Sequence, residues 1–253
     1  MNIRILGSGT SQGVPVIGCN CAVCASHDPR DDRQRASALF STDRASVLID
    51  VGPDFRRQML AGGVRSIDAI LLTHEHNDHV IGLDDIRPFN FRSGRPMRIY
   101  ALPRVANQVR ARFEYVFAEP IPGLPRVELI EIGPDAVVEI EDMRFEAVEV
   151  MHGPLPILGF RCGRAAYLTD VKYIPEGEMR KLKELDALIL SALHHREHPT
   201  HLNLSEALAL NTRIGAKRTW LTHISHHMGT YSDVSPTLPP FVSLAYDGLN
   251  ITV

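Results

Sequence analysis

Short apolar runs recur along the chain, each cut off by polar or glycine-containing sequence: "IRIL", "SVLID", "AILLT", "MRIYA", "RFEAVEV", "AAYLTD", "ALILSAL" and "RTWLTHI". Their length and their content of Val, Ile, Leu, Tyr and Trp predict strands. Two segments between them predict helices. "PDFRRQMLAG" opens on Pro-Asp and closes on Gly, and "LNLSEALALNTRIGA" places Asn203 three positions ahead of Glu206, the spacing of a reciprocal N-terminal cap. Strands alternating with helices predict a layered α/β architecture in which helices cover sheets.

One stretch, near 104–127, departs from this rhythm. "VANQVRARFEYVFAEPIPGLPRVE" predicts a helix followed by three prolines within six residues. Its composition fits a lid, a homodimer contact or a plain surface excursion equally. With no repeat, low-complexity tract or dividing linker, residues 1–253 read as one domain.

Composition narrows the function classes. A chain of 253 residues with 44% hydrophobic and 23% charged positions can bury a substantial core, which excludes wholesale disorder. A formal charge of −3 argues against extended nucleic-acid binding, while a local basic pocket for a small phosphorylated ligand stays open. No apolar run approaches the roughly 20 residues of a membrane span, and "MNIRILGSGTSQG" lacks the pattern of a signal peptide. The expectation is a soluble cytoplasmic protein.

The densest chemistry lies in "LTHEHNDHVIGL", where H-x-H-x-D-H brings together His74, His76, Asp78 and His79 directly after an apolar run. "VIGLDDI" behind it predicts the start of a helix. An extended turn aims His74 and His76 at one point, and a chain beginning to coil aims Asp78 and His79 at a second point nearby. That suits two metal ions, which two-metal hydrolases hold about 3.5–4 Å apart. His152 in "VEVMHG", Asp170 in "AAYLTD" and His223 in "RTWLTHI" each end a strand-like run, where ligands gather in α/β folds.

In this order, with "VLIDVG" and its Asp50 ahead of the cluster, the motifs resemble those of the metallo-β-lactamase-fold hydrolases over nearly the whole chain. The resemblance implies a four-layer αββα sandwich with a dinuclear site along one edge of its sheets. It implies His74, His76 and His152 at one metal, Asp78, His79 and His223 at the other, and Asp170 bridging. Asp50 is then expected to orient a ligand histidine. Two divalent cations set against two carboxylates and one hydroxide leave about one net positive charge, which favours an anionic substrate such as a phosphodiester. Zinc, manganese and iron all suit the nitrogen and oxygen donors.

"GCNCAVC" has C-x-C-x2-C spacing at Cys19, Cys21 and Cys24, three thiolates for a zinc that needs a fourth ligand. Cys162 stands alone in "GFRCGRAA" and reads as a buried small apolar residue. His226, three positions after His223, is the preferred fourth ligand, with His227 as the competitor. Within the fold family this knuckle, near 18–25, together with "THEHNDHVIGLDDIRPFN" resembles the phosphonate-pathway phosphodiesterases. These carry a structural zinc and a dinuclear site commonly filled by manganese, and act on phosphoribosyl 1,2-cyclic phosphate. The expected cofactors are two active-site ions, manganese or zinc, and one structural zinc.

In "LHHREHPTHLN" the same resemblance makes His201 the general acid beside the catalytic Asp78, with His198 as the alternative. The expected partner is a small phosphodiester, without membrane or nucleic acid. Two other readings are a tRNA 3′-processing nuclease, which shares H-x-H-x-D-H, and a non-hydrolytic relative from pyrroloquinoline quinone biosynthesis, which shares the knuckle but has a degraded metal motif. "GSGTSQG" departs from a phosphate-cradling spacing and reads as a turn beside the metal site. Arg87 in "DDIRPFN" is a ligand for a second phosphate or a partner of Asp84 or Asp85.

Overall fold

The computed structural model describes residues 1–118 and 122–253. The strands are β1 (Asn2–Gly7), β2 (Ser37–Ser41), β3 (Ser46–Ile49), β4 (Ala69–Leu71), β5 (Met97–Ala101), β6 (Val127–Glu131), β7 (Val137–Ile140), β8 (Met143–His152), β9 (Leu155–Cys162), β10 (Ala165–Leu168), β11 (Ala187–Ser191), β12 (Arg218–Thr222), β13 (Val242–Leu244) and β14 (Asn250–Thr252). The helices are α1 (Phe55–Gly62), α2 (Asn77–Val80), α3 (Arg87–Ser93), α4 (Pro103–Arg112), α5 (Glu114–Phe117), α6 (Leu204–Ile214) and α7 (Tyr231–Val234). All eight strand expectations and both helix expectations coincide with elements. The Asn203–Glu206 cap forms in both directions.

The strands make two seven-stranded sheets, ordered β14-β1-β2-β3-β4-β5-β6 and β13-β12-β11-β10-β9-β8-β7. Because successive side chains of a strand point to opposite faces, each strand feeds two cores. Val47, Ile49, Ala69 and Leu71 meet Phe145, Ala147, Leu158 and Tyr167 between the sheets. There Phe40 and Phe145 pack edge to face with centroids 5.5 Å apart. The alternate residues Leu48 and Ile70 pack outward with Phe55 and Met59 of α1 and Val105 and Val109 of α4. Val148 and Val150 pack outward with Ala207 and Leu210 of α6. The layers are therefore helix, sheet, sheet, helix, the expected αββα sandwich.

Strands β3 to β6 run parallel in one sheet, and β10 to β13 run parallel in the other. Parallel neighbours end at a common edge, and the functional residues follow those ends. The segment after His76 differs from the expected helix start. It coils earlier, as α2, and continues from Ile81 to Ile86 as a 3-10 helix. Close backbone packing explains the tight path. A Cβ on Gly82 would lie 2.0 Å from the Gly52 carbonyl oxygen, and one on Gly52 would lie 2.1 Å from that of Asp78. The absence of side chains at these two positions lets the turn after β3 press against the histidine-rich segment.

The stretch near 104–127 contributes α4 and α5, while residues 119–121 lie outside the described set. Among the described residues, no helix is long and apolar enough to cross a membrane.

Candidate metal centre

The strand ends deliver their ligands in a demanding backbone shape. Asp50, Asp170 and His223 all have left-handed φ values, 63°, 56° and 56°. Non-glycine residues avoid this region unless the surroundings enforce it, and such strain collects at functional sites. The three positions follow β3, β10 and β12, and their side chains reach His79 or one another.

The seven residues expected from sequence do converge. His74, His76 and His152 place ligand atoms within 4.8 Å of one another, and so do Asp78, His79 and His223. His74 Nε2 lies 3.0 Å from His76 Nδ1. Asp170 stands between the groups, its Oδ2 3.3 Å from His79 Nε2 and its Oδ1 3.1 Å from His223 Nε2. His79 Nε2 also lies 3.1 Å from Asp78 Oδ2. His79 Nε2 and His223 Nε2 are buried without a hydrogen-bond partner. Orphaned imidazole nitrogens facing carboxylates are satisfied by divalent cations, so the donor set fits the ions that the fold implies.

The electrostatics point the same way. Burial, reinforced by His79, drives the His74 pKa well below its ordinary value, so that ring is a neutral donor. Burial opposes charge on His79, but Asp78, Asp50 and Asp170 outweigh it and raise its pKa. Burial also works to raise the carboxyl of Asp78, yet His79 and His223 hold it below the ordinary carboxylate range. An ion and a proton compete for the same nitrogen lone pairs in this cluster, so binding of ions would be coupled to release of protons.

Asp50 is fully buried and accepts a hydrogen bond from His79 Nδ1 at 2.6 Å, which orients that ring as expected. His152 Nδ1 is tied to the carbonyls of Asp170 at 3.0 Å and Thr200 at 2.9 Å. The two candidates for general acid separate in space. His201 Nδ1 lies 3.7 Å from Asp170 Oδ1, and its ring stacks on His223 at 4.9 Å. His198 lies one ring further out, 5.0 Å from His201, with Nδ1 accepting the Thr200 N–H at 3.3 Å. Burial first, then His223, pushes the His201 pKa down to about 3.

The cysteines form the expected knuckle. Sγ of Cys19, Cys21 and Cys24 lie 3.3, 3.4 and 3.4 Å from His226 Nδ1. His226 completes the group of four and His227 is outside it. Cys162 is buried in the core between the sheets. The N–H of Cys24, donated to Cys21 Sγ at 3.4 Å, contributes most to lowering the Cys21 thiol to about 6. Such a group fits zinc. A Cys21→Ser chain is expected to lose one zinc equivalent and to melt on the order of 10 °C lower, taking about 3 kcal/mol of lost folding energy. Metal analysis paired with calorimetry checks this, and unchanged zinc content and melting would remove the knuckle.

The glycine-rich turn borders the centre, with Thr10 N–H donating to the Ile224 carbonyl at 3.1 Å and Ile224 N–H to that of Ser8 at 2.9 Å. Arg87 pairs with Asp84 at 2.5 Å, the structural alternative. Sequence reasoning missed two supports. Thr73 joins Asp50 to His74, as developed below. From α4, Arg104 pairs with the Glu75 carboxylate and donates to the Pro156 carbonyl at 2.6 Å, while Arg112 bonds the Glu75 carbonyl. Glu75 lies inside H-x-H, but nothing local signals partners 29 and 37 residues away.

Comparison with known proteins places the chain in a family. Residues 45–224 match the beta-lactamase superfamily domain. The chain belongs to that superfamily. It has the metallo-β-lactamase fold, and is similar at 42% identity and a TM-score of 0.93 to a crystal structure described as a new diphosphatase from the PhnP family, with 99% of this chain and 96% of that one covered. An octanoyltransferase of Porphyromonas gingivalis is 43% identical over all of this chain and 52% of its own length. A ribonuclease Z of Methanopyrus kandleri is 31% identical over 62% of this chain and 54% of its own length. The chain thus spans about half the length of these two curated relatives. Zinc-bound PqqB of Methylobacterium extorquens, at 21% identity and a TM-score of 0.81, shares the fold.

Proposed function

We propose that this metallo-β-lactamase-fold hydrolase is a phosphodiesterase holding two divalent ions, manganese or zinc, with a structural zinc in its knuckle. Its proposed reaction converts phosphoribosyl 1,2-cyclic phosphate to ribose 1,5-bisphosphate. The observation that carries the reading is Asp170, set within 3.3 Å of the histidine that follows β12 and one from the H-x-H-x-D-H segment, with His201 at 3.7 Å from the same carboxylate. Full-length similarity to a PhnP-family diphosphatase supports phosphate chemistry.

His74, His76 and His152 would hold one ion, Asp78, His79 and His223 the other, and Asp170 would serve both. Ions in such a cluster supply nucleophilic water at neutral pH and offset charge growing on the phosphoryl oxygens. Opening the ring expels a sugar oxygen, which leaves far better with a proton. His201 is placed to give it. Its ring is neutral at rest, and an anionic phosphate set against it favours protonation.

A purified, metal-replete protein is expected to open the cyclic sugar phosphate and bis(p-nitrophenyl) phosphate, with His76→Ala inactive on both. Failure on every phosphodiester by protein containing its ions would overturn the reading. The ribonuclease Z relative supports a second reading, tRNA 3′-end cleavage. Salt-sensitive tRNA binding with cleavage, and no turnover of the small ester, would select it. The complete ligand cluster weighs against the non-hydrolytic reading.

A further inference from the structure

One triplet, leucine, threonine, ligand, lies at or just past the ends of β4, β10 and β12: Leu72-Thr73-His74, Leu168-Thr169-Asp170 and Leu221-Thr222-His223. All three threonines are completely buried. Thr169 Oγ1 donates to its neighbour Asp170 Oδ2 at 2.6 Å. Thr73 does more. Its N–H donates to Asp50 Oδ1 at 2.8 Å, and its hydroxyl donates to Asp50 Oδ2 at 2.9 Å.

A hydroxyl has one hydrogen, and that hydrogen is already committed to the carboxylate. The same oxygen lies 2.9 Å from His74 Nδ1, so it accepts there and Nδ1 carries the proton. A neutral imidazole then leaves Nε2 bare, with its lone pair toward the cluster. Asp50 also accepts from His79 Nδ1, so that ring's Nε2 is the nitrogen directed to an ion in the same way.

We infer that Thr73 is a positioning residue that relays Asp50 to His74, so that one buried carboxylate sets the tautomer of a histidine in each ligand group. The inference rests on the proposal that the cluster holds two ions. It makes the two positions unequal in a defined sense. Removing the Thr73 hydroxyl disconnects His74 and leaves the Asp50–His79 bond in place. It also explains why this strand end needs a hydroxyl: valine has threonine's shape without the acceptor, whereas serine keeps the acceptor.

The test uses the full chain. Zinc is titrated into metal-free protein against a competing chelator, for Thr73→Val, Thr73→Ser and the unsubstituted protein. In Thr73→Val one of the two binding steps outside the cysteine knuckle is expected to weaken by about 10–100-fold, the scale for losing a hydrogen-bonding partner of a ligand histidine, while the other is unchanged. Thr73→Ser is expected to restore it. Long-range 1H–15N spectra of the unsubstituted metal-free protein are expected to show the His74 proton on Nδ1, a readout that needs no variant to fold. Equal weakening of both steps, weakening of neither, or a His74 proton on Nε2 overturns the relay. Fewer than two zinc ions bound outside the knuckle by the unsubstituted protein instead removes the two-ion proposal.

Discussion

An Asp170→Asn chain is expected to lose turnover by about 10³-fold or more, the upper range seen when one electrostatic stabiliser is taken from a hydrolytic site. The substitution is isosteric, and asparagine tolerates the left-handed φ of 56° at this position, so the fold should persist. What disappears is the negative charge. Burial works to raise the Asp170 pKa, but His223, His79 and His74 overcome it and hold the carboxyl below its ordinary range. Those same histidines belong to the two ligand groups, so both lose their common counter-charge. Metal analysis after equilibrium dialysis should show fewer than two active-site equivalents. An Asn variant that keeps both ions and normal kcat would refute the bridging role.

The second large effect depends on the leaving group. His201→Gln is expected to slow alkyl phosphodiesters by about 10²–10⁴-fold, the usual contribution of a positioned proton donor. Bis(p-nitrophenyl) phosphate, whose phenol departs without help, should be nearly spared. Glutamine keeps hydrogen-bonding capacity beside Asp170 Oδ1, 3.7 Å from the His201 Nδ1 position, so the contrast isolates proton transfer. Comparing kcat for the two ester classes decides the matter, and equal losses would take the acid role away from His201. His198 serves as the control. It lies farther from Asp170 and its Nδ1 is occupied by the Thr200 N–H, so His198→Gln should leave the ratio between the classes alone.

The parts of the fold that were legible in the sequence share a physical basis. Buried strands such as β4 and β11 are nearly continuous apolar runs, because helices and the opposite sheet cover both of their faces. Strands β13 and β14, three residues each, carry too little pattern to read. β9 was hidden by Pro156 and Gly159. A Cβ on Gly159 would lie 2.3 Å from a Leu168 side-chain atom, so its role is to admit a neighbouring strand. Spacing likewise announced H-x-H-x-D-H and the cysteines, since neighbouring ligands must be presented by a few residues of turn.

By itself the sequence determined which strands and helices form and which side chains are able to hold ions, because periodicity, capping and ligand spacing act over a few residues. Only the tertiary structure decided that His226 and not His227 faces the thiolates, that His201 and not His198 meets Asp170, and that Arg104 reaches Glu75. It also decided that Thr73 stands between Asp50 and His74. Such choices turn on ångström distances between residues far apart in the chain, and packing of the two sheets sets those distances.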